Sequence, residues 1–355
     1  MTTESKEDYY DYGYENGDYV YICETEELLH TRWILPTLYS IFFLVGFLGN
    51  VLVIAVVTKR SSRRADTFIL NLAVSDLFFV LTLPLWATAL AQDEYWSFGV
   101  SLCKASSFII AVTRCASSLM MAVMSVDRYV AVVRGKKMHP LRTRSCSLVA
   151  CSMIWVVSIL IGSPSLVFRH LQVNTSACVD PDKSSSSFIL PFKMVVIFFT
   201  FVLPFAVVLF CYGNMAKYLW NYFGKQVRTK SSARKPQGGH SWLRIVSCVV
   251  GAFCLSWLPF NTLNTVAIIF EKPDTTCSTR KAILQAIRVT SALAFANSCS
   301  NPLMYALLDA GFRRRAQLSL PRLFLTCRSL LPIPGWSMPT ASMSMKSTST
   351  YTDSD

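Results

Sequence analysis

Two charged residues, Asp76 and Arg114, lie within long uncharged stretches of this chain, where a charge is costly and therefore a candidate for function. A carboxylate in such surroundings must be protonated, paired or bound to a cation. Asn297 and Asn301, four residues apart and so on one helical face, offer neutral oxygens, as does Ser117. Together with Asp76 they suit a small hard cation such as sodium. The alternative is a protonated Asp76 inside a hydrogen-bond network. Arg114 lies 11 residues after Cys103 and 14 before Arg128. Along a helix these intervals are roughly 16 Å and 21 Å, which puts the guanidinium too deep to reach an interface freely. It either pairs with Asp76 or serves as counter-charge to an anionic group from outside. Arg169, Lys193 and Arg288 would help it nearer the mouth. The planar fork of arginine binds both oxygens of a carboxylate, so an acidic or free C-terminal end is the expected visitor.

A second group has the features of a switch. Asp127-Arg128-Tyr129 closes one apolar stretch, and Tyr212 and Tyr305 fall near the same level of two others. An arginine held by Asp127 in one state and by those hydroxyls in another would form a bistable element. Pro204, Pro259 and Pro302 each interrupt a stretch, and each removes a backbone hydrogen bond. Trp257 stands beside the second of these kinks, and Asn301 and Tyr305 flank the third. The three prolines are expected to act as hinges.

These residues need positioning elements, and the sequence supplies seven. Uncharged stretches cover 33–58, 67–92, 105–126, 145–168, 194–216, 245–270 and 289–308, apart from the two charges named above. A bilayer core takes about 20 helical residues to cross. The expectation is an all-α, seven-transmembrane helix bundle over residues 33–308. An acidic, tyrosine-rich tail over 1–32, without apolar periodicity, precedes it and reads as disordered. A short amphipathic helix over 309–320 and a Ser/Thr-rich tail over 321–355 follow it. The chain is 52% hydrophobic and 15% charged, whereas soluble domains carry about 25% charged residues. Its first ten residues are acidic and polar, unlike a signal peptide, so the first stretch is expected to target the chain to the membrane.

Charge sets the orientation. Basic residues cluster after the first stretch (Lys59, Arg60), between the third and fourth (Arg134, Lys136), between the fifth and sixth (Lys225, Arg228) and after the seventh (Arg313, Arg314, Arg315). Acids crowd residues 1–32. The positive-inside rule then puts the N-terminus outside and the C-terminus in the cytoplasm, at the plasma membrane. The net charge of +13 reports this topology and gives no footing for nucleic acid. Cys23, Cys103, Cys178 and Cys277 fall outside, where oxidation allows two disulfides in any of three pairings. Asn174 opens a glycosylation triplet on that side, and Cys327 in the inner tail is a candidate for palmitoylation. No tandem repeat, nucleotide loop, metal-spacing motif or nucleophile–base pair is visible, so an enzyme is not expected. An absence of internal symmetry disfavours a transporter.

Taken together, the motifs resemble the class A, rhodopsin-like G-protein-coupled receptors across all seven stretches. The resemblance rests on Gly49-Asn50, Leu72 to Asp76, Cys103, Asp127-Arg128-Tyr129, Trp155, Pro204 with Tyr212, Trp257 to Pro259 and Asn301 to Tyr305. It implies a Cys103–Cys178 disulfide, an allosteric sodium ion at Asp76 with no other cofactor, and Arg128 as the residue that meets a heterotrimeric G protein. Thr82-Leu83-Pro84 and Trp96-Ser97-Phe98-Gly99 are similar to the chemokine-receptor branch, which implies a second pair, Cys23 with Cys277. The chain departs from the usual pattern at Ser256, where the branch has cysteine. It also departs at Ser291, where chemokine receptors commonly carry a glutamate that meets the ligand's amino terminus.

The resemblance implies a chemokine-like protein or peptide as ligand, coupling to inhibitory-class G proteins, and phosphorylation of the Ser/Thr tail by a receptor kinase to recruit arrestin. A receptor for a short acidic peptide and a non-signalling scavenger are the rival readings, and intact Asp127 and Arg128 argue against the scavenger. The tail tyrosines Tyr9, Tyr10, Tyr12 and Tyr14 stand among acids, as in sulfated receptor tails, and would attract a basic ligand. Trp33, Trp86 and Trp96 would line the mouth or anchor it at the interface. The inner basic loops would meet membrane lipid or a G protein.

Overall fold

The protein is described by a computed structural model for residues 11–15, 18–22, 29–59, 64–133, 143–172, 175–180, 189–228, 239–270, 277–308 and 311–319. Helices dominate. In chain order they are α1 (Leu29–Lys59), α2 (Arg64–Val80), α3 (Leu83–Ala91), α4 (Gly99–Val133), α5 (Arg144–Gly162), α6 (Pro164–Phe168), α7 (Ile189–Ile197), α8 (Leu203–Arg228), α9 (Gly239–Phe270), α10 (Cys277–Phe295) and α11 (Asn297–Leu308). A last helix, α12, covers 311–319. Among the described residues, five helical spans are long and apolar enough to cross a bilayer; they run from α1 to α8, with α2–α3, α5–α6 and α7–α8 each forming one span. The sixth span is α9 and the seventh is α10 with α11. Several helices run beyond the apolar stretches, as α4 does with its 35 residues.

Within the N-terminal tail, ahead of α1, two short segments are described. Residues 1–32 read as disordered, yet β1 (Asp11–Glu15) and β2 (Asp18–Ile22) pair as an antiparallel hairpin, with Tyr12 opposite Tyr21 and Tyr14 opposite Tyr19. The reason lies in alternating aromatic and polar residues flanking Asn16-Gly17, a two-residue signal for a tight hairpin. Acidity obscured that signal in the composition. Tyr9, Tyr10, Cys23, Asn174 and Cys327 lie outside the described residues, as does the Ser/Thr tail. Cys277 begins α10, but its proposed bond to Cys23 rests on a partner that is not described.

The spans break where proline makes them break. Pro164 opens α6 and cannot donate to the carbonyl of Leu160; Ser163 Oγ donates to that oxygen at 2.9 Å. Pro84 lies in the first turn of α3, after a tight step at which Thr82 Oγ1 donates to the Phe79 carbonyl at 2.7 Å. Just before Pro204, residues Phe198–Val202 widen into a π-helical turn. Pro302 frees the carbonyl of Ser298, and Asn50 Nδ2 of α1 donates to it at 3.0 Å. Gly49 lets α1 come that close: a β-carbon there would meet Pro302 Cβ at 2.8 Å. The Gly49-Asn50 pair is therefore a fitting for the proline of the seventh span.

The core sits between the spans. Val53, Leu72, Met120, Met121, Phe253 and Trp257 pack in one buried cluster, and Leu35, Tyr39, Phe79 and Leu83 in a second. The lipid-facing side is apolar as well, with Leu48, Val149, Leu160, Val167, Leu255 and Leu307 exposed. Trp155 Nε1 donates to Asn71 Oδ1 at 3.1 Å and ties the fourth span to the second.

Replacing Asn50 with Leu would leave the Ser298 carbonyl unpaired in an apolar bundle. The expected loss is about 2 kcal/mol, read as a lower thermal midpoint in detergent or nanodiscs. A variant as stable as the wild type would contradict this account of the span-one contact.

Candidate functional site

Polar groups lie along the axis of the bundle, and all but the Asp127–Arg128 pair join residues far apart in sequence. The deepest centres on Asp76, which is buried among the second, third and seventh spans. Asn301 Nδ2 donates to Asp76 Oδ2 at 2.8 Å, and Ser117 Oγ lies 3.4 Å from Oδ1. Ser117 also meets Ser75 Oγ at 3.0 Å, and Ser75 donates to the Thr113 carbonyl at 3.1 Å. The side-chain oxygens of Asn297 and Asn301 are buried without a donor. Ser117 and Asn301 contact the carboxylate, and Asn297, one turn before Asn301 on α11, adds a further buried acceptor oxygen, a donor set that fits a hard cation such as sodium.

Arg114 is not paired with Asp76. Its Nη2 donates to Asn261 Oδ1 on α9. Its guanidinium lies 4.9 Å from the Trp257 ring centre and 5.1 Å from that of Phe260. Rings at that range attract a cation through their negative faces. Trp257, Phe260 and Asn261 stand at positions i, i+3 and i+4 of α9, so one helical face presents all three. Asn261 Nδ2 in turn donates to the Trp257 carbonyl at 2.8 Å, just before Pro259. Arg114 Nε is buried and has no partner among the described residues.

Above Arg114, a cavity of about 200 Å³ opens between the third, fourth, fifth and sixth spans. Its walls are mostly apolar (Ile161, Phe168, Ile189, Phe192), and Arg114, Arg169, Asp180 and Lys193 supply the charge. Arg169 is committed to neighbours. Its Nη1 lies 3.1 Å from Asp180 Oδ1, its Nε donates to Ser107 Oγ at 2.8 Å, and it sits 5.7 Å from the Trp86 ring. Trp86 packs at 5.0 Å against Trp96, beside the Cys103–Cys178 disulfide, whose α-carbons are 5.8 Å apart. The disulfide anchors the β3–β4 hairpin (His170–Leu171 with Cys178–Val179) onto α4.

The mouth is framed by ion pairs. Arg288 of α10 meets Glu94 at 2.6 Å, and Arg32 of α1 meets Asp93 at 3.1 Å. Both acids lie in the turn after α3 with left-handed φ values of 56° and 65°. Ser291 Oγ donates to the Arg288 carbonyl at 2.7 Å and lies 3.4 Å from the Tyr39 hydroxyl. At the opposite end, Arg128 lies 3.5 Å from Asp127. Tyr129 packs at 6.0 Å against Phe210, and buried Tyr305 at 6.2 Å against Phe312 of α12. Tyr212 stands in α8, within the fifth span. Arg315 of α12 reaches Asp66 at 3.2 Å, and Asp66 is wholly buried.

Of the basic residues that the sequence grouped as a ligand counter-charge, Arg114, Lys193 and Arg169 line this cavity, whereas Arg288 lies at the mouth on Glu94. Sequence reasoning missed Asn261 and Phe260, which the spacing from Trp257 along one helix would have revealed. It also missed Asp93, Glu94, Asp180 and Asp66, the acids that take up Arg32, Arg288, Arg169 and Arg315. No periodic pattern marks those pairings.

Residues 49–305, most of this bundle, match the profile of the 7 transmembrane receptor (rhodopsin family). The chain belongs to that family. It is a multi-pass membrane receptor and not an enzyme, and its family works between an extracellular ligand and a G protein. The receptor is 39% identical over 311 residues to the probable G-protein coupled receptor 25 of Mus musculus, covering 85% of this chain and 82% of that relative. It is 34% identical over 309 residues to the G-protein coupled receptor 15 of Mus musculus (86% and 84% covered). It is 31% identical over 329 residues to the apelin receptor B of Danio rerio (88% and 89% covered).

The Asp66–Arg315 pair gives a test of the opposite end of this receptor. Asp66→Asn removes the charge opposite a guanidinium that is itself mostly buried, and should cost about 3 kcal/mol of stability. The double variant Asp66→Leu with Arg315→Leu should recover most of the loss in a thermal melt. Equal losses in the single and double variants would count against a buried, coupled pair.

Proposed function

We propose that this receptor stands in the plasma membrane with its N-terminus outside and takes a chemokine-like protein or peptide whose acidic or free C-terminal end enters the cavity above Arg114. One observation carries the reading. Among the described residues no carboxylate lies within ion-pair distance of Arg114, whereas Arg169, Arg288 and Arg32 each have one. A guanidinium left unneutralised beside an apolar cavity is a counter-charge awaiting an anion. Lys193 adds a second positive charge on the same cavity. Ser291, where related chemokine receptors commonly carry an acid, supports entry of an anionic rather than an amine-bearing end. Similarity to an apelin receptor and to G-protein coupled receptors 15 and 25 is compatible with this ligand class.

The mechanism follows from the contacts. A carboxylate arriving at Arg114 competes with Asn261 and with the faces of Trp257 and Phe260. Drawing the guanidinium off α9 removes a polar tether just beside the Pro259 kink. The inner half of α9 is then free to swing outward, and Arg128 leaves Asp127 to meet the G protein. The ligand shifts this equilibrium only by its preference for the released state. Inhibitory-class G proteins, and arrestin after phosphorylation of the tail by a receptor kinase, are the proposed partners inside. Sodium, held by Asp76, Ser117, Asn297 and Asn301, would favour the resting arrangement, and the donor-free oxygens of the two asparagines support that site. Sulfated Tyr9, Tyr10, Tyr12 and Tyr14, a Cys23–Cys277 bond, a glycan on Asn174 and a lipid on Cys327 complete the proposal.

Secreted basic peptides and chemokine-like proteins screened on cells expressing the full chain should yield an agonist. Amidating its C-terminus, or replacing Arg114 with Ala, should each lower potency about 100-fold, and the two changes together little further. An amidated agonist of full potency would overturn the carboxylate reading.

Basal nucleotide exchange on a purified heterotrimer should fall when sodium replaces N-methylglucamine, and Asp76→Asn should abolish that difference. A sodium effect that survives in Asp76→Asn would remove the ion from this site.

A further inference from the structure

The same cavity poses a question for the receptor without ligand. Arg114 keeps its charge at any physiological pH, because guanidinium does not deprotonate in proteins. Asn261 supplies one neutral acceptor, and the rings of Trp257 and Phe260 supply the weak attraction of their faces. None of these neutralises a unit charge. Among the described residues, none accepts from the Arg114 Nε–H, which is shut away from solvent. The acid on the cavity wall, Asp180, is engaged by Arg169, and the mouth acids Glu94 and Asp93 are engaged by Arg288 and Arg32. Lys193 adds further positive charge to the lining. The cavity is thus a cationic chamber with oily walls, about 200 Å³ in size, which admits a single small ion with room to spare.

We infer that a monovalent halide, chloride under physiological conditions, occupies this chamber on Arg114 when no ligand is bound. The chemistry favours a weakly hydrated monovalent anion. The lining is mostly apolar, with Ser165 and Asn264 as its neutral polar side chains, too few to replace the tight water shell of a strongly hydrated ion. Chloride would accept from the guanidinium and leave the aromatic faces in place, so it is compatible with the resting contacts to Asn261 and Trp257. The ligand's carboxylate would then displace a resident counter-ion. This second step rests on the proposed ligand reading, whereas occupancy by chloride does not.

The test needs no agonist. Full-length receptor in nanodiscs is melted in buffers of constant ionic strength in which gluconate is exchanged for chloride. The wild type should rise by about 3 °C toward saturation, as linkage to a bound ion requires, and bromide should substitute for chloride. Arg114→Gln should be flat across the series. Because that variant also alters the contact to Asn261, Asn261→Asp provides a second arm. It gives Arg114 an internal carboxylate, and should melt at the same temperature with and without halide. A flat wild-type series would mean that water alone fills the chamber, and would overturn the inference. So would a full chloride rise retained in either variant, since the ion would then lie elsewhere. Loss of potency on agonist amidation is read separately, so failure of either idea leaves the other standing.

Discussion

A hydrogen-bond debt in the backbone organises this receptor. Each proline inside a span leaves one carbonyl without its helical donor, and lipid has no donor to lend. The Ser298 carbonyl, freed by Pro302, receives the side chain of Asn50, and Gly49 gives α1 the clearance to deliver it. The Leu160 carbonyl, freed by Pro164, receives Ser163. These repairs let the spans bend without exposing bare polar groups. They also explain why polar residues recur beside the kinks: the interior must carry donors wherever the helix cannot supply its own. The first and seventh spans are joined by such a repair, so the packing of the bundle and the bend of its last span are one feature.

With the bends in place, the interior polar groups fall into a series. Mouth, Arg114 chamber, Asp76 cluster and Arg128 follow one another from the disulfide end to the end that carries α12. Arg114 and Asp76 lie in neighbouring spans yet have separate partners, α9 for the first and α11 for the second. A direct ion pair between them would have joined the two levels into one inert network. Under the proposed function, their separation leaves Arg114 to answer to what enters the cavity and Asp76 to set the resting state of the seventh span. The sixth span hears from the first level through Asn261 and Trp257, and the seventh from the second through Asn301.

Much of this was legible in the sequence for a simple reason. Burying charge in lipid is so costly that Asp76 and Arg114 announce themselves, and uncharged runs of about 20 residues leave little choice of fold. Trp257, Pro259, Asn301 and Pro302 were legible as a set because kinks and polar groups coincide. What the sequence did not disclose were contacts set by tertiary approach. Whether Arg114 turns toward Asp76 or toward α9 depends on helix rotation, which the pattern of apolar residues does not resolve in a chain apolar on every face. The pairings Glu94–Arg288, Asp93–Arg32 and Asp66–Arg315 each join an acid in a turn or the first turn of a helix to an arginine of a helix distant in sequence, a match that no period governs. The β1–β2 hairpin was hidden for another reason: a composition typical of disorder outweighed a local turn signal.

The turn after α3 bears on how the doorway chooses its visitors. Asp93 and Glu94 are adjacent, carry side chains, and both adopt a backbone conformation that favours glycine. Such a turn persists because its surroundings hold it, here through arginines from the first and seventh spans. The frame is consequently set before anything arrives, so under the proposed function the cost of becoming ordered falls on the incoming ligand and not on the host. A stiff, preshaped tip will fare better there than a floppy one of identical chemistry.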